Sequence, residues 1–167
     1  MTLSKTLTAV ALAVAASASY ADTFTGPINL GSGNAFFGRN DAIGSFTDTY
    51  TFTLAGTFSL SATATSVANG DQNLDFSSVR ILNAADVVVA TFAGNHGTDA
   101  AEFYSLAPIN LMAGNYSLIV TGVNSAAQAS YAGTVALAAI AVPEPETYAL
   151  LLAGLGAVGF VARRRRV

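Results

Sequence analysis

Residues 46–54, FTDTYTFTL, alternate strictly, and no other feature constrains this chain's fold as tightly. Thr47, Thr49, Thr51 and Thr53 hold the odd positions. Phe46, Asp48, Tyr50, Phe52 and Leu54 hold the even ones. Side chains in a strand point alternately to opposite faces, so this stretch reads as a half-buried strand with threonine outward and large apolar groups inward. Asp48 breaks the pattern, because it shares the inward face with four apolar residues. A lone carboxylate facing a core costs several kcal/mol unless it is paired or hydrogen-bonded. The expectation is therefore a fastener: Asp48 accepts hydrogen bonds from a neighbouring turn or pairs with an arginine.

The same period continues through residues 22–141, with almost no period of 3.6. TFSLSATAT (57–65) places Phe58, Leu60, Ala62 and Ala64 on one face. Thr57, Ser59 and Ser61 read as continuing the hydroxyl row of Thr47–Thr53 beyond the kink at Ala55-Gly56. FSSVRIL and VVVATF read as strands around the turn NAAD (83–86), and EFYSLAPINL as extended with a break at Pro108. AGNYSLIVTG puts Tyr116, Leu118 and Val120 inward, and ASYAGTVALAAI closes the domain. Seven or eight short strands between Gly/Asn/Asp/Ser turns predict an all-β, antiparallel β-sandwich of jelly-roll or Ig-like type.

The chain of 167 residues is 52% hydrophobic and only 10% charged, and its two ends account for part of that. Residues 1–21 carry Lys5, an Ala/Val/Leu run, and small residues at Ser19 and Ala21, the pattern of a signal peptide cut after Ala21. At the other end, Thr147–Ala162 is a 16-residue uncharged run followed by Arg163, Arg164, Arg165 and Arg166. It would reach about 24 Å as a helix, and snorkelling arginines would let it span a membrane as a transmembrane helix over 147–162. Gly154, Gly156 and Gly159 have the spacing of a dinucleotide loop. They lie inside this apolar run without the strand and acidic residue that such a loop needs. The expected organisation is a signal peptide over 1–21, a β-domain over 22–141 and a C-terminal segment over 142–167. Within the β-domain two arginines, Arg39 and Arg80, face eight acidic residues, a formal net charge of −6. That balance excludes nucleic-acid binding through phosphates. The absence of cysteine excludes thiol catalysis and thiolate metal sites.

The C-terminus, with Pro143-Glu144-Pro145, then the apolar run, then Arg163–Arg166, resembles the PEP-CTERM sorting signal. The resemblance implies a Gram-negative bacterium that makes exopolysaccharide. It also implies an exosortase-type membrane peptidase as partner, transient anchoring in the inner membrane, and release to the cell surface. Proline biases the residue before it to extended conformations, so Pro143 and Pro145 should hold VPEPE extended for processing near Glu144. Phe46-Thr47-Asp48-Thr49-Tyr50 resembles the motif of an FxDxF group of PEP-CTERM proteins, with Tyr50 in place of the last phenylalanine. LMAGNYSLIVTG followed by YAGTV is similar to the last strands of pre-peptidase C-terminal-type sandwiches.

Other candidate sites are sparse. His96, the one histidine, lies in FAGNHGTDA beside Asp99, but no nucleophile elbow accompanies it. Asp71, Asn73 and Asp75 alternate as the first ligands of a calcium loop do, but Phe76 and Leu82 stand where that loop needs glycine and glutamate. The reading is an Asx-rich turn, with no cofactor expected and calcium the one metal to consider. Threonine rows also suit ordered water or ice, although the solvent face of a sheet explains them. Phe36-Phe37, read as part of a loop next to Arg39, Asn40 and Asp41, is a candidate glycan contact or an anchor of that loop to the core, and Phe103-Tyr104 is a second aromatic pair. One member of each pair should face the core if both lie on strands. The composite expectation is a non-enzymatic, exported protein with a structural or adhesive role, in contact with exopolysaccharide or surface proteins. A carbohydrate-binding module is the alternative, and a secreted hydrolase the distant one.

Overall fold

A computed structural model describes residues 21–68, 73–94, 101–124, 128–140 and 145–164. The expected signal peptide (1–20 of it), His96, Asp99, Asp71, Pro143, Glu144, Arg165 and Arg166 lie outside the described residues. Ten strands run in chain order: β1 Asp22–Pro27, β2 Asn34–Ala42, β3 Ser45–Leu54, β4 Phe58–Val67, β5 Leu74–Asn83, β6 Val88–Thr91, β7 Ala93–Gly94, β8 Ala101–Leu111, β9 Gly114–Asn124 and β10 Ala129–Ala139. A helix, α1, follows over Pro145–Arg164.

The strands form two five-stranded sheets, ordered β1-β3-β9-β5-β6 and β2-β10-β4-β8-β7. The all-β expectation holds, with more strands than the seven or eight read from sequence. The sheets are not wholly antiparallel either: β1 pairs parallel with β3, Phe24 opposite Asp48. β1 is short and polar, and its partner is distant in sequence, so local periodicity says nothing about its pairing. The two sheets pack face to face as a sandwich around one core. Phe46, Phe52 and Leu54 (β3), Leu60 (β4), Val79 and Ile81 (β5), Leu118 and Val120 (β9) and Val135 (β10) are all buried. Burying each such side chain contributes about 1.5–3 kcal/mol. Rings interlock across the layers: Phe46 stacks on Tyr131 at 5.7 Å, and Phe76 meets Tyr104 and Tyr131 edge-on at 5.3 and 5.6 Å. Such pairs add to area burial. Gly133 leaves room for the Phe37 ring, which a Cβ there would strike.

Two expectations about strand continuity are corrected. The chain does not break at Pro108, because β8 runs through it. Between Leu60↔Ile109 and Ala62↔Leu106, two β8 residues oppose one of β4, and β7 covers β8 only at Tyr104 and Ser105. A bulge beside an open edge leaves the missing N–H without a ladder partner to lose. The hydroxyl row likewise does not continue from β3 into β4. The chain changes sheets between Leu54 and Phe58, so Thr47–Thr53 and Ser59–Thr65 occupy the opposite outer faces of the sandwich.

The C-terminal expectations change too. Pro145 and Glu146 are not extended, because the helix begins at Pro145, and a proline in the first helical turn loses no hydrogen bond. Among the described residues no helix is long and apolar enough to cross a membrane. The uncharged part of α1 is the 16 residues from Thr147 to Ala162, diluted by Gly154, Gly156 and Gly159. The expected transmembrane helix over 147–162 is therefore a helix without a sufficient apolar span.

Candidate functional site

Strands β1, β2 and β10 converge on Asp48 of β3, whose side chain is fully buried. Oδ1 accepts from Arg39 Nη1 at 3.0 Å and from the Phe24 backbone N–H at 3.1 Å, and Oδ2 accepts from the Tyr131 hydroxyl at 2.5 Å. Tyr131 also shares a 2.8 Å hydrogen bond with Tyr50. Asp48 thus pairs with Arg39, and the backbone donor comes from strand β1 rather than from a turn. Arg39 reaches two further carboxylates, Asp22 on β1 and Asp41 on β2, each at 2.6 Å. The cluster ties β1, β2, β3 and β10 together, and so joins both sheets.

Its electrostatics follow from burial and partners. Burial disfavours the Arg39 charge, but the hydrogen bonds to Asp22, Asp41 and Asp48 outweigh it and hold the guanidinium above its usual range. The bond to Arg39 holds Asp22 below the usual carboxylate value, against a smaller desolvation effect and helped by the Ile43 N–H. Burial first, then the bond to Asp48, pushes the Tyr131 phenol well above its ordinary value. Burial raises Tyr50 as well. Asp48 so held is a hydrogen-bond acceptor fixed in place by three donors. The motif residues Phe46, Asp48 and Tyr50 all point inward and are buried. They serve packing and fastening.

Sequence reading missed a second fastener. Glu102 on β8 is buried and accepts the Phe76 backbone N–H at 2.5 Å across the sandwich, while the Tyr104 hydroxyl donates to the Phe76 carbonyl at 3.0 Å. The signal was present, because Glu102 has the same inward parity as Tyr104 and Leu106. Asn124 is a third such group, its amide donating to the Ala42 carbonyl at 2.7 Å.

Phe36-Phe37 lies on strand β2 and not in a loop, and both aromatic pairs divide as strand geometry requires. Phe37 is 6% exposed and Phe36 84%, while Tyr104 is buried and Phe103 52% exposed. Phe36 and Phe103 lie on the same outer face. Phe36 sits in register with Thr134, Thr63 and Ser105, and Phe103 with Thr65, Ala132 and Gly38. Thr63 and Thr134 share a 2.9 Å hydrogen bond between hydroxyls. The outward positions next to them carry Asn, Ser, Thr, Ala and Gly, with Val67 exposed at the end of β4, and none of these is charged. Of the calcium candidates, the Asn73 amide donates to Asp75 at 2.9 Å. No group of three or more metal-ligating side chains fit to hold a metal occurs among the described residues. The three carboxylates that do converge surround a guanidinium.

At the C-terminus, Arg163 and Arg164 fall in the last turn of α1, where cations suit the helix dipole. Residues 141–166 match the PEP-CTERM protein-sorting motif. The PEP-CTERM motif implies an exported protein handled by an exosortase-type system. No curated protein matches the chain. Among solved structures, the pre-peptidase C-terminal domain of collagenase from Bacillus anthracis is 16% identical, with a TM-score of 0.44 over 69% of this chain and 95% of that one. PliG from Aeromonas hydrophila, a periplasmic inhibitor of g-type lysozyme, is also 16% identical, with a TM-score of 0.40 over 70% and 98% of the two chains. At these scores neither likeness carries an inference about this chain.

Proposed function

We propose that this is a non-enzymatic surface protein. Its β-sandwich is exported with the PEP-CTERM tail as a temporary address, and it acts outside the cell in a structural or adhesive role against exopolysaccharide. The match over residues 141–166 carries this reading. In it, the signal peptide is cut after Ala21 and α1 rests at the inner membrane with its arginines at the lipid headgroups. The exosortase-type peptidase then cuts near Glu144. Intact-mass measurement of the natural product tests the route. The expected species starts at Asp22 and lacks α1, and a mature protein that retains Arg163–Arg166 would sink the reading.

A second reading, a carbohydrate-binding module, is favoured by the uncharged outer face that presents Phe36 and Phe103. A sheet face of small uncharged residues, hydroxyls of Thr63, Thr65, Thr134 and Ser105 among them, flanked by exposed rings suits the apolar face and hydroxyl edge of a neutral sugar chain. Pull-down of the full chain on insoluble neutral polysaccharides checks it. Binding should be saturable and be lost in Phe36→Ala, and undiminished binding by that variant would remove this face as the contact.

A further inference from the structure

At the end of β3 away from Asp48, the two sheets part around a cleft of about 840 Å³, a size that accommodates small ligands. Register builds one wall of it. Phe52 on β3 lies opposite Tyr116 on β9, and Tyr116 opposite Asn83 on β5, so two rings and an amide stand in one inward-facing row. Phe52 and Tyr116 stack at 5.6 Å, and the Tyr116 hydroxyl is anchored on the Met112 carbonyl at 3.0 Å, which fixes the ring at the mouth. Phe58 closes the cleft from the other sheet.

The rim is polar and rigid. The Asn83 side-chain oxygen accepts the N–H groups of Ala85 and Val87 at 3.0 and 3.1 Å, which locks the turn that carries Asp86. Asp86 adopts φ of 58°, a left-handed conformation uncommon for a residue other than glycine. It sits on the cleft's edge with Asn83 and Asn115. The partly buried Tyr116 ring beside amides and one carboxylate offers a stacking face together with donors and acceptors for hydroxyls. The carboxylate and the acidic body disfavour anionic ligands.

We propose that this cleft is a binding site for one neutral hexose ring, stacked on Tyr116 and hydrogen-bonded by Asp86 and Asn83. The site extends the surface-glycan reading to a second place on the molecule, since Phe36 takes no part in lining it. The test is amide chemical-shift mapping of the 15N-labelled full chain in detergent, with glucose, galactose, mannose and N-acetylglucosamine as probes. Titration to about 50 mM saturates a site with a Kd near 1 mM (about −4 kcal/mol). At least one sugar should shift the amides of Asn83–Val87 and Gly114–Ser117. Asp86→Gly, which suits the positive φ and so keeps the fold, should weaken that binding at least fivefold. Tyr116→Leu, which keeps an apolar contact with Phe52, should abolish it. Unchanged affinity in both variants overturns the proposal. Shifts confined to the strands around Phe36 overturn the cleft and support the outer face. No shifts anywhere overturn the cleft and also count against neutral-sugar contact as such, while leaving the export route untouched.

Discussion

Replacing Asp48 by alanine removes one acceptor and leaves three donors: Arg39 Nη1, the Phe24 N–H and the Tyr131 hydroxyl. Tyr131 retains Tyr50, and Arg39 retains Asp22 and Asp41, so those two losses are partial. Breaking a buried ion pair by deleting one partner costs about 3–5 kcal/mol. Small domains have about 5–15 kcal/mol in all, so Asp48→Ala should take a large share of the stability. For a body of about 120 residues each kcal/mol shifts Tm by roughly 3–5 °C, so the expected fall is about 9–25 °C. Circular dichroism melts and guanidinium titrations of the full chain measure it. A double-mutant cycle with Tyr131→Phe separates the hydrogen bond from packing. Once Asp48 is gone, removing the Tyr131 hydroxyl deletes an under-satisfied donor, so the cycle should show about 1–2 kcal/mol of coupling. A loss below about 1 kcal/mol, or strictly additive effects, would refute the fastener argument.

Two further outcomes follow from the same geometry. Phe37→Ala should cost about 3–5 kcal/mol in denaturant titrations, because it empties a core position. Phe36→Ala should change stability by less than about 0.5 kcal/mol, and equal losses would contradict the facing of this pair. Tyr131, Tyr50 and Tyr104 keep their protons above the ordinary tyrosine value, chiefly through burial. Their contribution is full below pH about 10, where the unfolded chain also keeps these protons. It falls as pH rises further, because only the unfolded chain then releases them, at about 1.4 kcal/mol per pH unit and group. Stability that stays level from pH 9 to pH 11 would argue against these buried phenols.

Legibility in the sequence tracked the range of the interaction concerned. Alternation is local, so the inward face of β3, the facing of Tyr116, Leu118 and Val120, and the all-β class could be read directly. The division of Phe36 from Phe37 needed only that both lie on one strand. Sheet membership was not readable, because it depends on where each crossover lands: the hydroxyl rows of β3 and β4 share one parity in the sequence, yet Ala55–Thr57 carries the chain from one sheet to the other. β1 was missed for the same reason, since its parallel partner lies more than twenty residues away. Pro108 misled because the rule against proline in strands assumes a ladder partner, and the bulge opposite Ser61 removes that demand.

Asp48 shows how a local anomaly can point to a long-range structure without specifying it. Its position on an apolar face required a partner, and the scarcity of bases in the body narrowed the candidates to Arg39 and Arg80. Arg39 is the partner because β2 and β3 end in opposite sheets at the same edge of the sandwich, next to β1. The guanidinium can then reach Asp22, Asp41 and Asp48 together, so that one cation offsets part of the charge of three carboxylates of an acidic body. Asp22 belongs to the first strand after the expected signal cleavage site, and its carboxylate also accepts the Ile43 N–H at 3.1 Å. The cluster therefore fastens the start of the domain to its interior. That couples the integrity of β1 to Arg39, so an Arg39 substitution should loosen β1 before the rest of the sandwich. Amide exchange that is faster at Thr23–Gly26 in Arg39→Met while the core strands stay protected would bear this out, whereas uniform loss of protection would show that the cluster holds the whole fold and not its first strand.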